Sequence, residues 1–194
     1  MANPKSKAVK VATPLFRLSY PSLHEPKGFE GQEPKYGATM LFPAASDMAW
    51  AKDAIRKVMT ERFGADKAMW PKGVRTPLRN GDEKENQPAG YAGTIYIAAR
   101  SQDRPGVVDH NCNEIVNVRE DVYAGCYCKA TIAFFYYDRA GNKGVGVALN
   151  NVQKVKDGEK FGGRSDAKRD FSPVDDEGGA VGAASGHEDD DLFG

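Results

Sequence analysis

The stretch from residue 125 to residue 156 constrains this chain more than any other. Residues 125–137 (GCYCKATIAFFYY) are rich in β-branched and aromatic side chains and read as one long strand. Residues 138–144 (DRAGNKG) carry the Gly and Asn chemistry of a hairpin turn, and residues 145–156 return as the partner strand. So long an antiparallel pair directs the rest of the chain toward a β architecture.

The other segments agree with that direction. Residues 8–20 alternate as a strand, with Pro14 marking an edge or a bulge. The Pro-, Gly- and Glu-rich residues 21–34 read as a loop, and 35–42 as a second strand. Residues 46–63 predict a helix: Ser46 is the candidate N-cap, Trp50, Ala54, Val58, Ile55, Met59 and Phe63 fall on one broad face, and Gly64 stops it. A short helical turn is expected over 65–70, ended by Pro71. Residues 71–93 hold seven Pro and Gly residues and read as a long irregular excursion, of the kind that is usually functional or mobile. Strands are expected again at 94–100, 105–109 and 114–119. The pattern predicts a mainly β fold, an OB-type barrel with one or two helices. It occupies residues 1–168; residues 169–194 are expected to be a disordered Gly-rich linker and acidic tail. No internal repeat is visible.

Charge is distributed unevenly. The chain has 27 basic and 27 acidic residues, yet from Asp170 onward there are eight acids and no Lys or Arg. Residues 1–169 therefore carry a net charge of +8. A basic body with an acidic tail points to a polyanionic partner and to a tail able to compete with it. Three cysteines, Cys112, Cys126 and Cys128, form no disulfide framework and suggest a reducing compartment. The N-terminal MANPKSKAVK has no apolar core of a signal peptide, and no stretch nears the roughly 18 apolar residues of a membrane span. A soluble cytoplasmic protein is expected, with no membrane, cofactor or small-molecule substrate.

Strand alternation nominates a site. Ile95, Ile97 and Ala99 should face the core, leaving Tyr96, Ala98 and Arg100 outward. Tyr127, Lys129 and Thr131 share a face opposite Cys128, Ala130, Ile132 and Phe134, and Arg17 faces away from Phe16 and Leu18. Outward tyrosines among cations suit unpaired nucleic acid, whose bases stack on aromatic rings while Lys and Arg follow the phosphates. Arg17, Arg75, Arg79, Arg100 and Lys129 are the candidate phosphate contacts, and Tyr91, Tyr96, Tyr127 and Trp70 the candidate stacking residues. Arg75, Arg79, Trp70 and Tyr91 are expected in a flap over the strand. The competing readings are cross-strand tyrosine pairs that stabilise the sheet, and Trp70 plugging the core. Glu188, Asp189, Asp190 and Asp191 precede Leu192 and Phe193, a sequence that fits a basic, hydrophobic-floored pocket on a partner or the chain's own groove.

Catalytic signals are generic. Asp82, Glu83 and Glu85 could feed a metal-dependent nuclease site, as could the residues around Asp157-Gly158-Glu159-Lys160, but both also read as solvated turns. The thiols of Cys126 and Cys128 are expected on opposite strand faces, a poor metal clamp. Asp109-His110-Asn111-Cys112 is suggestive only by adjacency. There is no Walker A string and no His-Glu-x-x-His.

The order of these features resembles phage replicative single-stranded DNA-binding proteins with an OB fold. The resemblance rests on residues 76–82 (TPLRNGD), 91–93 (YAG), 94–101 (TIYIAARS), 123–127 (YAGCY), the strand after Lys143-Gly144, and the acidic end with Leu192-Phe193. It implies a non-enzymatic, strand-protecting role in phage DNA replication and recombination. It also implies a tail that contacts polymerase- or helicase-type partners and restrains binding when DNA is absent. One departure is that Gly194 follows Phe193, whereas such tails usually end on the aromatic residue.

Overall fold

The computed structural model describes residues 7–28, 31–139 and 141–162. In chain order these form β1 (Val9–Ala12), β2 (Phe16–Lys27), β3 (Lys35–Pro43), α1 (Ala49–Phe63), β4 (Arg79–Asn80), β5 (Thr94–Ser101), β6 (Gly106–Val108), α2 (Val118–Asp121), β7 (Tyr127–Arg139) and β8 (Asn142–Lys156). A 3-10 turn at Lys67–Met69 follows α1. Strands β7, β2, β3, β5 and β8 are neighbours in that order, and β8 pairs back onto β7. Five strands thus close into a ring, the OB-type barrel expected. The ring is antiparallel except where β5 meets β8, at Arg100 and Ala148. β1 and the start of β2 share one edge of β7, pairing with residues 131–134 and 127–128 respectively.

Alternation fills the barrel. Phe16, Leu18, Met40, Phe42, Ile97, Cys128, Ile132, Phe134 and Leu149 point inward and are buried. Each large aliphatic or aromatic side chain so buried contributes about 1.5–3 kcal/mol. α1 covers the core with Ala51, Ala54, Val58 and Met59. Trp50 brings its ring 5.7 Å from that of Phe42 and 6.3 Å from that of Phe134. Gly64 ends α1 at φ 90°, its N–H donating to the Thr60 carbonyl. Among the described residues no helix is long and apolar enough to cross a membrane.

Five local expectations are corrected. Ser46 does not cap α1; the Asp47 carboxylate accepts from the Ala49 N–H at 2.8 Å instead. Residues 8–20 are two strands, separated where Thr13 bonds Ala130 through both its N–H and its hydroxyl. The loop expected from residue 21 is shorter, because β2 runs on to Lys27. Its prolines are tolerated because the β2–β3 register slips between Ser19 and Ser22 and again before Lys27, which frees the ladder of donors there. Residues 118–121 are helical, and of the strand expected at 114–119 only a Val108–Glu114 bridge is present. The hairpin is also tighter than 138–144: Arg139 lies opposite Asn142, and Gly141 takes φ 81°. The expected boundary at 168/169, the linker and the tail lie outside the described residues.

Gly125 joins several elements. Its N–H donates to Leu18, it has φ 111°, and a Cβ there would collide with the Glu159 carbonyl. Gly125→Ala should destabilise the fold by more than about 2 kcal/mol, read as a lower urea midpoint at unchanged slope.

Candidate nucleic-acid interface

Strand register gathers side chains that are distant in sequence. Arg79 on β4 lies opposite Tyr96 on β5, and Tyr96 opposite Leu41 on β3. Leu41 lies opposite Arg17 on β2, Arg17 opposite Tyr127 on β7, and Tyr127 opposite Lys156 on β8. Residues directly opposite share a face, so these six form one row across the outside of the barrel. At a strand spacing of about 4.8 Å the row spans roughly 24 Å. Cations stand at both ends and in the middle, with tyrosines between them.

The middle of the row is covered. Tyr91, from the long irregular excursion, sets its ring 5.2 Å from that of Tyr96. With Leu41 these two form a small apolar cluster outside the barrel core, against which Phe161 packs. Tyr91 is 1 % exposed and Tyr96 8 % exposed. The expectation that both present open faces is therefore corrected: alternation does turn Tyr96 outward, but the loop folds back over it. Burial raises the Tyr91 hydroxyl pKa, against the opposing effect of hydrogen bonds with Ser19 and Thr39. Lys84 stands 5.7 Å from the Tyr96 ring and 5.9 Å from that of Tyr91.

Arg17 is the most connected cation of the row. Its Nε donates to the Gly125 carbonyl at 3.1 Å and its Nη2 to the Glu159 carbonyl at 2.6 Å. Its guanidinium lies 4.2 Å from the Phe161 ring centre and 5.3 Å from that of Tyr127. Lys156 also stands 4.7 Å from the Tyr127 ring. Residues 157–162 thus strap back over the row. Phe161 N–H donates to Ala124, Tyr123 Oη donates to Asp157 at 2.8 Å, and Lys154 pairs with Asp157 at 2.7 Å. The bond from Lys154, then that from Tyr123, holds the Asp157 carboxyl below its ordinary pKa. Burial is the largest single influence on Lys154 and opposes its charge, but the hydrogen bond to Asp157 and the nearby negative charge together outweigh it and the pKa is raised. Lys154 and Lys160 flank the Tyr123 ring at 5.4 and 5.1 Å.

The other nominated residues divide. Arg100 and Lys129 are exposed on the outward faces of β5 and β7, further along from the row. Arg75 bridges Gly144 at the hairpin end of β8, twelve residues before Lys156. Trp70 packs against the core and donates Nε1–H to the Gly64 carbonyl. These two do not join a flap, and the core-plug reading of Trp70 is the one observed. Glu188, Asp189, Asp190, Asp191, Leu192 and Phe193 lie outside the described residues. Leu41, Lys84, Lys156 and Phe161 were missed. Leu41 and Lys156 sit in strands the sequence assigned, but only register relates them to Arg17; Lys84 lies in the irregular excursion beside Tyr91 and Tyr96, and Phe161 carries no local signal.

The acidic and thiol clusters have structural uses. Asp82 accepts from the Gly93 N–H at 2.7 Å, and Glu83 accepts from Asn80. Asp109 accepts from the N–H groups of Asn111 and Asn113. Among the described residues no three His, Cys, Asp or Glu side chains converge to hold a metal ion. The Cys126 and Cys128 thiols are not on opposite faces: two residues apart, they point the same way, buried, with sulfurs 3.6 Å apart. Their hydrogen bond lowers the Cys126 pKa and, with burial, raises that of Cys128.

A closed five-stranded barrel crossed by a cationic and aromatic row is the architecture of an oligonucleotide-binding module. Residues 9–181 match the family described as Enterobacter phage Enc34, ssDNA-binding protein, and the chain belongs to that family. A protein designated p50, from Acyrthosiphon pisum secondary endosymbiont phage 1, is 35% identical over 164 residues, covering 80% of this chain and 88% of that one. The single-stranded DNA-binding protein from bacteriophage Enc34, solved in complex with ssDNA, superposes with a TM-score of 0.67 at 27% identity, over 83% of this chain and 97% of that one. The bacteriophage T7 single-stranded DNA-binding protein gp2.5 shares the fold, at 18% identity and a TM-score of 0.57, over 91% and 100% of the two chains.

The Asp157 anchor sets a pH dependence. A depressed carboxyl pKa stabilises the folded state above the ordinary carboxylate value, near 4, and that contribution is lost as pH falls through the lower folded value. Asp157 is largely exposed, so solvent screens the effect. Amide-exchange protection at Gly158 and Phe161 should fall across that acid range. Asp157→Asn should reproduce the loss at neutral pH while leaving β7 protected.

Proposed function

We propose that this protein binds single-stranded DNA without sequence preference, coating and protecting exposed strands during phage DNA replication and recombination. The observation that carries the reading is the row from Arg79 through Tyr96, Leu41, Arg17 and Tyr127 to Lys156. The strand crosses the barrel along this row, with phosphates drawn to Arg79, Arg17, Lys156 and the neighbouring Lys84, Arg100 and Lys129. Bases meet the aromatic surface of Tyr127 and the Phe161 cover. Such contacts ignore sequence, because every base has a π-face. They disfavour duplex, whose bases are already stacked on one another. The role is non-enzymatic: binding and release, with no bond made or broken.

The acidic end acts as a second function in this reading. Glu188 to Asp191 with Leu192 and Phe193 recruit polymerase- or helicase-type replication proteins, and in the absence of DNA the same charges compete for the cationic row. Residues 1–168 are the DNA-binding domain and 169–194 the linker and tail, in the cytoplasm of the phage-infected host.

Titration of labelled oligo-dT against a duplex of equal length tests the reading. The chain should prefer oligo-dT, with affinity falling as salt rises, at about 0.7 in logarithmic slope per phosphate neutralised. Arg79→Ala and Lys156→Ala should each weaken binding and flatten that slope by somewhat less than one. Equal binding of both DNAs, or unchanged slopes, contradicts it. Removing residues 172–194 deletes seven acidic side chains and should tighten binding most at low salt. Unchanged affinity across the salt range would remove the competing role of the tail.

A further inference from the structure

β2 contains one residue whose backbone is unlike its neighbours'. Tyr20 has φ 44°, in the left-handed region where bulky side chains are true outliers. It falls in the register slip between Ser19 and Ser22. Its side chain does not account for that conformation by burial, since Tyr20 is 59 % exposed, among the most open large side chains of the described residues. The register slip imposes this conformation on a bulky side chain, and backbone strain of that kind concentrates at ligand clamps and active sites.

The surroundings of Tyr20 say what such a clamp holds. Tyr20 lines a groove of about 640 Å³ together with His24, Lys27, Arg119, Tyr123 and Phe161. Its ring lies 6.2 Å from that of Tyr91, tilted by 53°, while Tyr91 backs onto Tyr96 of the row. Phe161 belongs to both places: it covers Arg17 and lines the groove. The groove is therefore continuous with the row, and among the described residues that line it Lys27 and Arg119 are cationic and Glu25 is acidic. An exposed aromatic ring in a groove also lined by cations, next to a surface read as a nucleic-acid track, matches the chemistry of an unpaired nucleotide.

We propose that Tyr20 is a base-stacking platform, and that the bound strand leaves the row near Arg17 and enters this groove, with Arg119 and Lys27 taking its phosphates. The register slip serves to turn the Tyr20 ring outward, where regular alternation after Phe16 and Leu18 would send it into the barrel. This inference rests on the strand-binding reading above and adds a residue and a path to it.

Full-length Tyr20→Phe, Tyr20→Ala and Tyr20→Gly variants test it, with anisotropy of labelled oligo-dT for binding and thermal melting for stability. Tyr20→Phe keeps the ring and should bind like the unaltered chain. Tyr20→Ala and Tyr20→Gly should both bind about fivefold to a hundredfold more weakly, the range of one base–aromatic stack. Glycine fits a positive φ and alanine does not, so Tyr20→Gly should melt above Tyr20→Ala while binding no better. Affinity would then follow the ring and not the stability of the fold. Binding by Tyr20→Gly as tight as that of the unaltered chain overturns the inference alone. Affinity that rises and falls with melting temperature across the three variants also overturns it. Failure of the unaltered chain to bind oligo-dT removes the strand-binding reading and this inference with it.

Discussion

Two residue pairs close the barrel: Phe16 with Cys128, and Arg17 with Tyr127. The rest of the structure depends on that short junction between β2 and β7. Phe16 and Cys128 point inward and complete the core, while Arg17 and Tyr127 point outward and complete the row. A single register thus fixes packing and surface chemistry together, because side chains alternate across a strand. A one-residue slip would put Arg17 in the core and Phe16 in solvent. The neighbouring Gly125 and Thr13 serve the junction directly, one by accepting the Arg17 Nε–H and the other by bonding Ala130 where the chain passes from β1 to β2.

Arg17 has two roles that pull on the same atoms. Its donors bind the Gly125 and Glu159 carbonyls, and its flat face lies under Phe161. A guanidinium so placed is already oriented, so little side-chain freedom is lost when a phosphate approaches. The strap over it ties the end of the barrel sequence to the middle of the row, which makes the site sensitive to Asp157 and Lys154 although neither lies in the row itself. The covered Tyr91–Tyr96 pair supports this surface from beneath, in the manner of a second layer of packing.

Much of the fold was legible in the sequence because hydrophobic period and turn chemistry are local. The long hairpin, α1 with its Gly64 stop, β3 and β5 all follow from patterns within a few residues. Failures came where tertiary context overrode local preference. Pro21 and Pro26 read as loop, yet β2 continues through them because its register slips. Tyr91 and Tyr96 read as open because alternation says which way a side chain points, not what folds over it. Of the nominated site, Arg17, Tyr96 and Tyr127 meet in one row because each was assigned a face correctly, and Arg79, expected in a flap, joins them through the short strand β4. Trp70 and Arg75 do not, because a loop has no period from which to infer direction. Lys156, Leu41 and Phe161 become visible only once register and the chain's return over the barrel are known.

The central claim is that the strand lies on one particular side of the barrel. Lysine acylation read by mass spectrometry, with and without saturating oligo-dT, tests it most directly. Lys84 and Lys156 border the row, whereas Lys52 and Lys57 lie on α1. The account predicts that DNA protects Lys84 and Lys156 and leaves Lys52 and Lys57 as reactive as before. Protection of the α1 lysines with Lys84 and Lys156 unchanged would contradict it.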